Sequence, residues 1–152
     1  MDLDAPLTLN REEHVDPTLK FQLRLTVAPE LADALRADPS GAHEELQRIL
    51  HRHDASVKCQ YDAFADYVSE AERIGIEQYP LYQWTRETIE NPQKKAKYLR
   101  SFTVYVKGEQ IYEKHLADAM ETELLNLIDE HGIQGVSKFD TNPANSPQPP
   151  QR

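Results

Sequence analysis

The sequence predicts an α+β fold, and three observations lead to that prediction. Near its start, "LKFQLRLTV" alternates apolar and polar residues as a half-buried strand does. Apolar residues in the next segments recur at helical spacing instead. The alternating strand pattern returns later in "SFTVYV", and helical spacing returns in the segment that follows it. Strands mixed with separate helices are typical of a sheet that packs against helices.

Composition fits one folded domain with flexible ends. The chain has 152 residues, of which 39% are hydrophobic, and this is enough for one core. Residues 1–17 hold five acids and one base, so we predict a flexible acidic arm. Residues 141–152 contain four prolines, and we expect a disordered Pro-rich tail there. The folded domain is then predicted to span residues 18–140.

Charge and cysteine content narrow the functional classes. The net charge of −9 disfavours general binding to nucleic acids or anionic membranes, because the summed field repels polyanions. A single cysteine, Cys59, leaves no partner for an internal disulfide and suits a reducing compartment. No segment has the pattern of a signal peptide or the ~20 apolar residues of a membrane helix. We therefore expect a soluble, cytoplasmic protein.

The first elements are predicted from alternation and from helix breakers. Five apolar residues from Leu19 to Val27 alternate with polar ones and predict a strand. Pro29 suits the first turn of a helix, where its missing N–H costs nothing. "DPSG" at 38–41 ends that helix. A second helix follows, with apolar residues at 46, 49 and 50 on one side.

The stretch "LHRHDASVKCQYDAF", residues 50–64, has two interpretations. As a strand, Val57, Cys59 and Tyr61 would share one face. As a helix, apolar residues at 57, 61, 64, 68 and 71 form one stripe. Because the helical pattern is longer, we predict a helix over residues 55–74 that ends at Gly75.

The remaining segments predict a hairpin, a helix and a final strand. "YPLYQWTRETIE" and "KYLRSFTVYVKG" are rich in aromatic and β-branched residues, and "NPQKKAK" between them carries turn signals. We therefore predict a long β-hairpin from Tyr82 to Lys107. Helical spacing returns from Ile111, and "GVSKF" is predicted to be the last strand.

These elements follow the split β-α-β-β-α-β order that is called ferredoxin-like. We predict a four-stranded antiparallel sheet with helices mainly on one face, and a first connection enlarged to two or three helices. Many unrelated functions occur on such a fold, so the fold does not choose one.

No residue pattern predicts catalysis or metal binding. His51 and His53 would point roughly 200° apart on a helix, so they could not share a metal. A nucleophilic Cys59 would need a lowered pKa, and no catalytic signature surrounds it. The acidic pairs fall mainly on polar helix faces. We predict no catalytic residue, no metal and no cofactor, and we favour a protein that is not an enzyme.

A basic, aromatic segment is the predicted binding surface. Residues 91–107 hold five bases and no acid, and seven of the twelve aromatic residues lie within residues 79–112. A plain alternative is that the aromatics form core and the lysines keep a hairpin tip soluble. The predicted binding residues are Lys94, Lys95, Lys97, Arg100, Tyr105, Lys107, Trp84 and Arg86.

Three functions remain open for this surface. The first is a non-catalytic protein-interaction or regulatory module that uses its sheet face and basic hairpin, with a protein partner that is acidic. The second is a nucleic-acid-binding or nucleic-acid-processing protein with lysines on phosphates and aromatics on bases. Net charge disfavours it, and Tyr105 is the one aromatic among the outward positions 101, 103 and 105. The third is a small-molecule enzyme.

A homodimer is also compatible with the charge pattern. The acidic segment after the basic hairpin would let two copies contact each other about a two-fold axis, each patch meeting the other. No membrane partner is expected.

Overall fold

The structure, a computed structural model, describes residues 20–141. Within this range the protein is α+β and about half helical, with an antiparallel sheet of five strands and with six α-helices. The α+β class and the antiparallel sheet confirm the prediction at this level, but the predicted number of four strands is wrong, because the sheet has five. The predicted acidic arm at 1–17 lies outside the described residues, and so does the predicted tail apart from Thr141. That residue is buried, and its N–H and hydroxyl both donate to the Lys20 carbonyl.

The first three elements lie where the sequence places them. Strand β1 spans Lys20–Val27, helix α1 spans Pro29–Ala37 and helix α2 spans Glu44–Arg52. Pro29 occupies the start of α1, as its missing N–H favours. The imidazole of His43 caps α2 by accepting a hydrogen bond from the Leu46 N–H.

The predicted helix over residues 55–74 is wrong in its first five residues. Ala55–Cys59 forms strand β2, and helix α3 spans Gln60–Ile74 and ends at Gly75 as expected. Val57 and Cys59 are buried, while Ser56 and Lys58 are exposed. This alternation is short, but pairing with a neighbouring strand stabilises it, and Val57 joins the helical stripe only by coincidence of spacing.

The predicted hairpin from Tyr82 to Lys107 is also wrong, because most of it is helical. A short 3-10 turn at Ile76–Gln78 precedes helix α4, Tyr82–Glu90, and helix α5, Pro92–Leu99. Asn91 separates the two helices, and its side chain accepts hydrogen bonds from the N–H groups of residues 93 and 94. The Asn-Pro pair that suggested a turn is therefore the N-cap and first residue of α5.

The last elements resemble the prediction more closely. Strand β3 spans Ser101–Val106, a two-residue strand β4 spans Tyr112–Glu113, helix α6 spans Lys114–Leu125 and strand β5 spans Ile133–Asp140. Gly132 precedes β5 with a φ of 100°, a backbone conformation that glycine adopts without a steric cost.

β1 is the central strand of the sheet. It pairs with β3 and β4 along one side and with β5 along the other, and β3 pairs in turn with β2. All these pairings are antiparallel. Among the strands of residues 20–141, β2 therefore lies at one end of the sheet and β5 at the other.

The two faces of the sheet differ in what covers them. The inner face carries Leu23 and Leu25 of β1 and packs against α1, α2 and α6 in the main core. The outer face carries Gln22 and Arg24 of the same strand. Helix α3 contacts this face, because its first residue, Gln60, accepts a hydrogen bond from the Ser101 hydroxyl.

Helices α3, α4 and α5 share a second, smaller core. Phe64 lies at its centre, with the rings of Trp84 and Tyr98 packed edge-on at 5.9 Å and 5.1 Å between centroids. None of the described helices combines the length and apolar composition needed to cross a membrane.

Candidate functional site

One edge of β2 is free of main-chain partners within the described part of the chain. The Lys107 N–H donates to the Asp54 carbonyl across the β2–β3 pair at 2.8 Å. Since hydrogen-bonded pairs alternate along an antiparallel ladder, Ser56 and Lys58 also bond to β3. The N–H and C=O groups of Val57 consequently point away from β3, toward the free edge.

A groove of about 500 Å³ runs along this free edge. Its floor is the main chain of β2, and its walls come from the end of α1, the start of α3 and the outer face of β3. It is lined by Leu35, Arg36, Pro39, Ser56, Val57, Lys58, Cys59, Asp62 and Tyr105. We name it the β2 groove.

Two ion pairs line the β2 groove and hold its walls. Arg36 of α1 donates two hydrogen bonds of 2.9 Å to the Asp62 carboxylate of α3, which raises the pKa of Arg36. Lys58 donates to Asp66, one turn further along α3, at 2.6 Å, and this bond raises the pKa of Lys58. Both pairs are partly exposed, so their main effect is to position the side chains rather than to stabilise the fold.

The Tyr61 ring lies beside two cations near the β2 groove. The Arg36 guanidinium is 5.9 Å from the ring centroid, and the Lys95 ammonium is 5.4 Å from it. Cations attract the negative face of an aromatic ring at these distances. This contact brings Lys95 from α5, one of the predicted binding residues, to the same region as Tyr105, which lines the groove itself.

Cys59 is a buried thiol and not an activated nucleophile. Its Sγ donates to the carbonyl oxygens of Tyr98 and Leu99 at 3.5 Å and 3.6 Å. Only 2% of the residue is exposed, and burial raises the pKa of its thiol, although two N–H groups at the start of α3 act in the opposite direction. A protonated, enclosed thiol has neither the charge nor the access that nucleophilic catalysis needs.

Several predicted binding residues have structural contacts instead. Trp84 packs in the second core, and Arg86 pairs with Glu90 on the same helix. The Arg100 guanidinium donates to the Val27 carbonyl at 2.9 Å and also bonds to Gln134.

The other three predicted lysines lie apart from the groove lining. Lys94 and Lys97 belong to α5, where the ammonium of Lys97 lies 5.5 Å from the Tyr98 ring centroid. Lys107 is exposed just after β3, with a positive φ of 52°. The sequence therefore identifies two residues of this region, Lys95 and Tyr105. It misses β2 itself, whose alternating "ASVKC" was the available signal.

Among residues 20–141, no three His, Cys, Asp or Glu side chains come together in a way that could hold a metal ion. A second hollow, of about 330 Å³, lies beside α4 and is lined by Ile76, Tyr82, Gln83, Arg86, Glu87 and Glu90. Two of the charged side chains that line this hollow, Arg86 and Glu90, form an ion pair with each other.

Comparisons of the chain with models of protein families, with curated proteins and with solved structures give no match. The functional argument therefore depends on the geometry described above.

Proposed function

We propose that this protein is a non-catalytic interaction module that binds an extended segment of a partner protein along β2. The observation that carries the proposal is the Val57 main chain, whose N–H and C=O point into a groove without a described partner. Edge strands of this kind bind peptides by adding one more strand to the sheet, and main-chain hydrogen bonds supply much of the affinity.

The walls of the β2 groove indicate what the partner segment contains. Successive side chains of an added strand point to opposite faces of the sheet. One set would meet Leu35 of the main core and Pro39, which favours apolar side chains. The other set would meet Lys58 and Tyr105 on the outer face, which favours acidic or polar side chains. We therefore propose an extended partner segment in which apolar and acidic residues alternate.

The surrounding charges support an acidic partner. Three cations, Arg36, Lys58 and Lys95, lie in or beside the groove, against the two carboxylates of Asp62 and Asp66. This local excess of one positive charge contrasts with the net charge of −9 for the chain. Such complementarity affects association rate and partner choice more than affinity.

A variant pair at Val57 tests the proposal with a synthetic peptide of alternating valine and glutamate as the probe. Val57→Pro removes the N–H that faces the groove, whereas Val57→Ala keeps it and also removes core volume. We expect Val57→Pro to bind the peptide at least about tenfold more weakly than Val57→Ala, because hydrogen bonds to the edge are lost. Equal binding of the two variants would refute strand addition at β2.

Amide hydrogen exchange locates the bound peptide directly. The Val57 amide should exchange faster than the Ser56 amide in the free protein, because only the latter is in the β2–β3 ladder. The peptide should slow exchange at Val57 selectively. Unchanged exchange at Val57 on saturation with peptide would place the peptide elsewhere.

Charge variants on α5 test the preference for acidic residues. Lys95→Glu should weaken binding of the acidic peptide, because Lys95 lies against Tyr61 near the groove. Lys94→Glu changes the same charge one residue away and serves as the control. Equal effects would indicate general electrostatic attraction, and a steep salt dependence with single-stranded nucleic acid would favour the nucleic-acid alternative instead.

A second copy of the chain is the other occupant that β2 could accept. Two β2 strands would pair about a two-fold axis, with Val57 opposite Val57 of the other copy. Sedimentation at increasing protein concentration would then show a dimer that Val57→Pro abolishes and Val57→Ala retains.

We further infer that the sheet is a variant of the ferredoxin-like plan. The supporting observation is the order β2, β3, β1, β5, with α3 to α5 placed between β2 and β3 rather than in the first connection.

A further inference from the structure

A row of three polar side chains crosses the outer face of the sheet. Arg24 at its centre is paired with Thr103 of β3 on one side and with Ser137 of β5 on the other. Directly paired residues of neighbouring strands project on the same face, with Cβ atoms about 5 Å apart. The Cβ atoms of Arg24, Thr103 and Ser137 are therefore neighbours, although the three residues come from three different strands.

Arg24 is buried, and only its Nε donates a hydrogen bond to another described residue. It is 7% exposed, and the Phe139 ring lies against its guanidinium with 4.9 Å from Cζ to the centroid. Its Nε donates to Gln22 Oε1 at 2.8 Å, and Gln22 is held in turn by the Gln110 carbonyl. In the described part of the chain, no acceptor lies within hydrogen-bonding distance of either terminal nitrogen of Arg24.

The charge of Arg24 also has no counter-charge among the described residues. No Asp or Glu among residues 20–141 forms an ion pair with it, although other arginines of that range, such as Arg36 and Arg48, do pair with carboxylates. Burial lowers the pKa of Arg24 to about 10, which still leaves it charged at neutral pH. A buried cation without a counter-charge is costly, and binding an anion would offset that cost.

Two further features fit an anion beside Arg24. Thr103 is also buried, at 7% exposure, and neither its hydroxyl nor that of Ser137 has a hydrogen-bond partner in the described range. Gly135 precedes Ser137 by two residues on the same face, and a Cβ placed there would meet only the Thr26 Cβ, at 3.9 Å. The missing side chain leaves room next to the row.

We propose that Arg24, Thr103 and Ser137 form a carboxylate-binding site on the outer face of the sheet. The two terminal nitrogens of the guanidinium match the two oxygens of a carboxylate, and the hydroxyls donate from either side. A carboxylate fits better than a phosphate because one buried cation balances one negative charge, while a dianion would leave an unpaired charge in a chain already at −9. This site is separate from the β2 groove and independent of its function.

Two sources can supply the carboxylate, and the test distinguishes them. It is a group on a free small molecule, or it is an acidic side chain of the segment before β1, where Glu12, Glu13 and Asp16 lie close in sequence to Lys20. The full-length chain and a variant with Glu12→Gln, Glu13→Gln and Asp16→Asn are therefore titrated in parallel.

The measurement is a nuclear magnetic resonance titration with sodium acetate, a monoanionic carboxylate, and with inorganic phosphate in a second series. We expect saturable shifts of the Arg24 Nε–H and of the Thr103 and Ser137 amides with acetate. Arg24→Gln should weaken this binding at least about tenfold, because its charge-assisted hydrogen bonds are lost. Lys20→Gln, on the same strand and face, is the control and should leave it unchanged.

Each outcome decides the question. Acetate shifts in the natural chain support a site for free carboxylates. Shifts only in the variant with neutralised acids support a site that the chain's own carboxylates occupy. Shifts with phosphate alone, or none in either protein, would overturn the proposal. Because Arg24→Gln removes a buried charge rather than a core side chain, it should fold, and its thermal unfolding curve verifies this.

Discussion

The hydroxyl of Tyr112 donates a hydrogen bond to the Val104 carbonyl at 2.8 Å across the end of the β1–β3 pair. The same hydroxyl accepts a hydrogen bond from the Leu23 N–H at 2.9 Å. Tyr112 therefore links two main-chain groups of neighbouring strands at the point where β4 replaces β3 beside β1. One buried side chain connects three strands.

Replacing Tyr112 with phenylalanine should destabilise the protein by about 1–3 kcal/mol, since it leaves two buried main-chain groups without a partner. The ring and its packing are retained, so the change isolates the hydroxyl. Urea unfolding followed by circular dichroism measures the free energy. Tyr79→Phe is the matched control, because the Tyr79 hydroxyl bonds to an exposed Glu70 and should matter little. Equal effects of both changes would contradict the linking role of Tyr112.

Acid should remove a contact between α2 and α6. His53 and Arg52 both bind the Glu123 carboxylate, and the hydrogen bond with His53 is the largest cause that lowers the pKa of Glu123 below its ordinary value of 4.5. A lowered carboxyl pKa gives stability that is present above the ordinary pKa and is lost as the pH falls through the lowered one.

Glu123→Gln should therefore cost about 0.5–1 kcal/mol near pH 7, and that difference should shrink below about pH 4. Denaturant unfolding of both proteins at several pH values measures it. Glu130→Gln, an exposed acid without an ion pair in the described range, should show no such pH-dependent difference. A difference that persists undiminished in acid would show that packing, not charge, explains the effect.

The start of α5 depends on one side chain. Asn91→Ala removes the oxygen that accepts the N–H groups of Gln93 and Lys94, and loss of such a cap costs about 0.5–2 kcal/mol. Asn126→Ala, at the exposed C-terminal end of α6, removes the same groups without losing a described side-chain bond. Thermal unfolding should rank the Asn91 variant below the Asn126 variant. The reverse order would be inconsistent with a helix beginning at Pro92.

Cys59 should react slowly with thiol reagents in the folded protein. Its thiol is enclosed and its pKa is raised by burial, so both access and thiolate fraction are low. An aromatic disulfide reagent that releases a coloured product should modify it at least about a hundredfold more slowly than it modifies the chain unfolded in guanidinium chloride. Equal rates would mean that the end of β2 opens readily.

Elements with a long, regular period could be predicted from the sequence. β1 has four apolar residues in strict alternation, and α1 and α2 are separated by a Pro- and Gly-containing break. β2 could not be separated from a helix, because the spacing from Val57 to Tyr61 equals one helical turn. Its pairing with β3, a long-range contact, decides the outcome.

The amino-acid composition of residues 82–99 led to the wrong prediction of strands where the structure has α4 and α5. Threonine, tyrosine and tryptophan favour strands on average, but packing on one helical face overrides that tendency. Tyr82, Thr85 and Thr88 are buried at spacings of three, which is a helical pattern that the β-rich composition masked. The β2 groove was not predicted because β2 itself was predicted to be part of a helix, and the groove exists only beside that strand.

The hydrogen bond from Cys59 to Tyr98 shows that both ends of the segment formed by α3, α4 and α5 meet at one point of the sheet. Cys59 is paired with Phe102, so a tight turn could replace residues 60–100 and join β2 directly to β3. Those three helices are thus a unit that the sheet could lose or exchange without a change of strand order. Closing so long a loop costs only slightly more entropy than closing a shorter one. Tyr61 and Lys95 therefore reach the region of the β2 groove from helices that begin and end beside the same pair of strands.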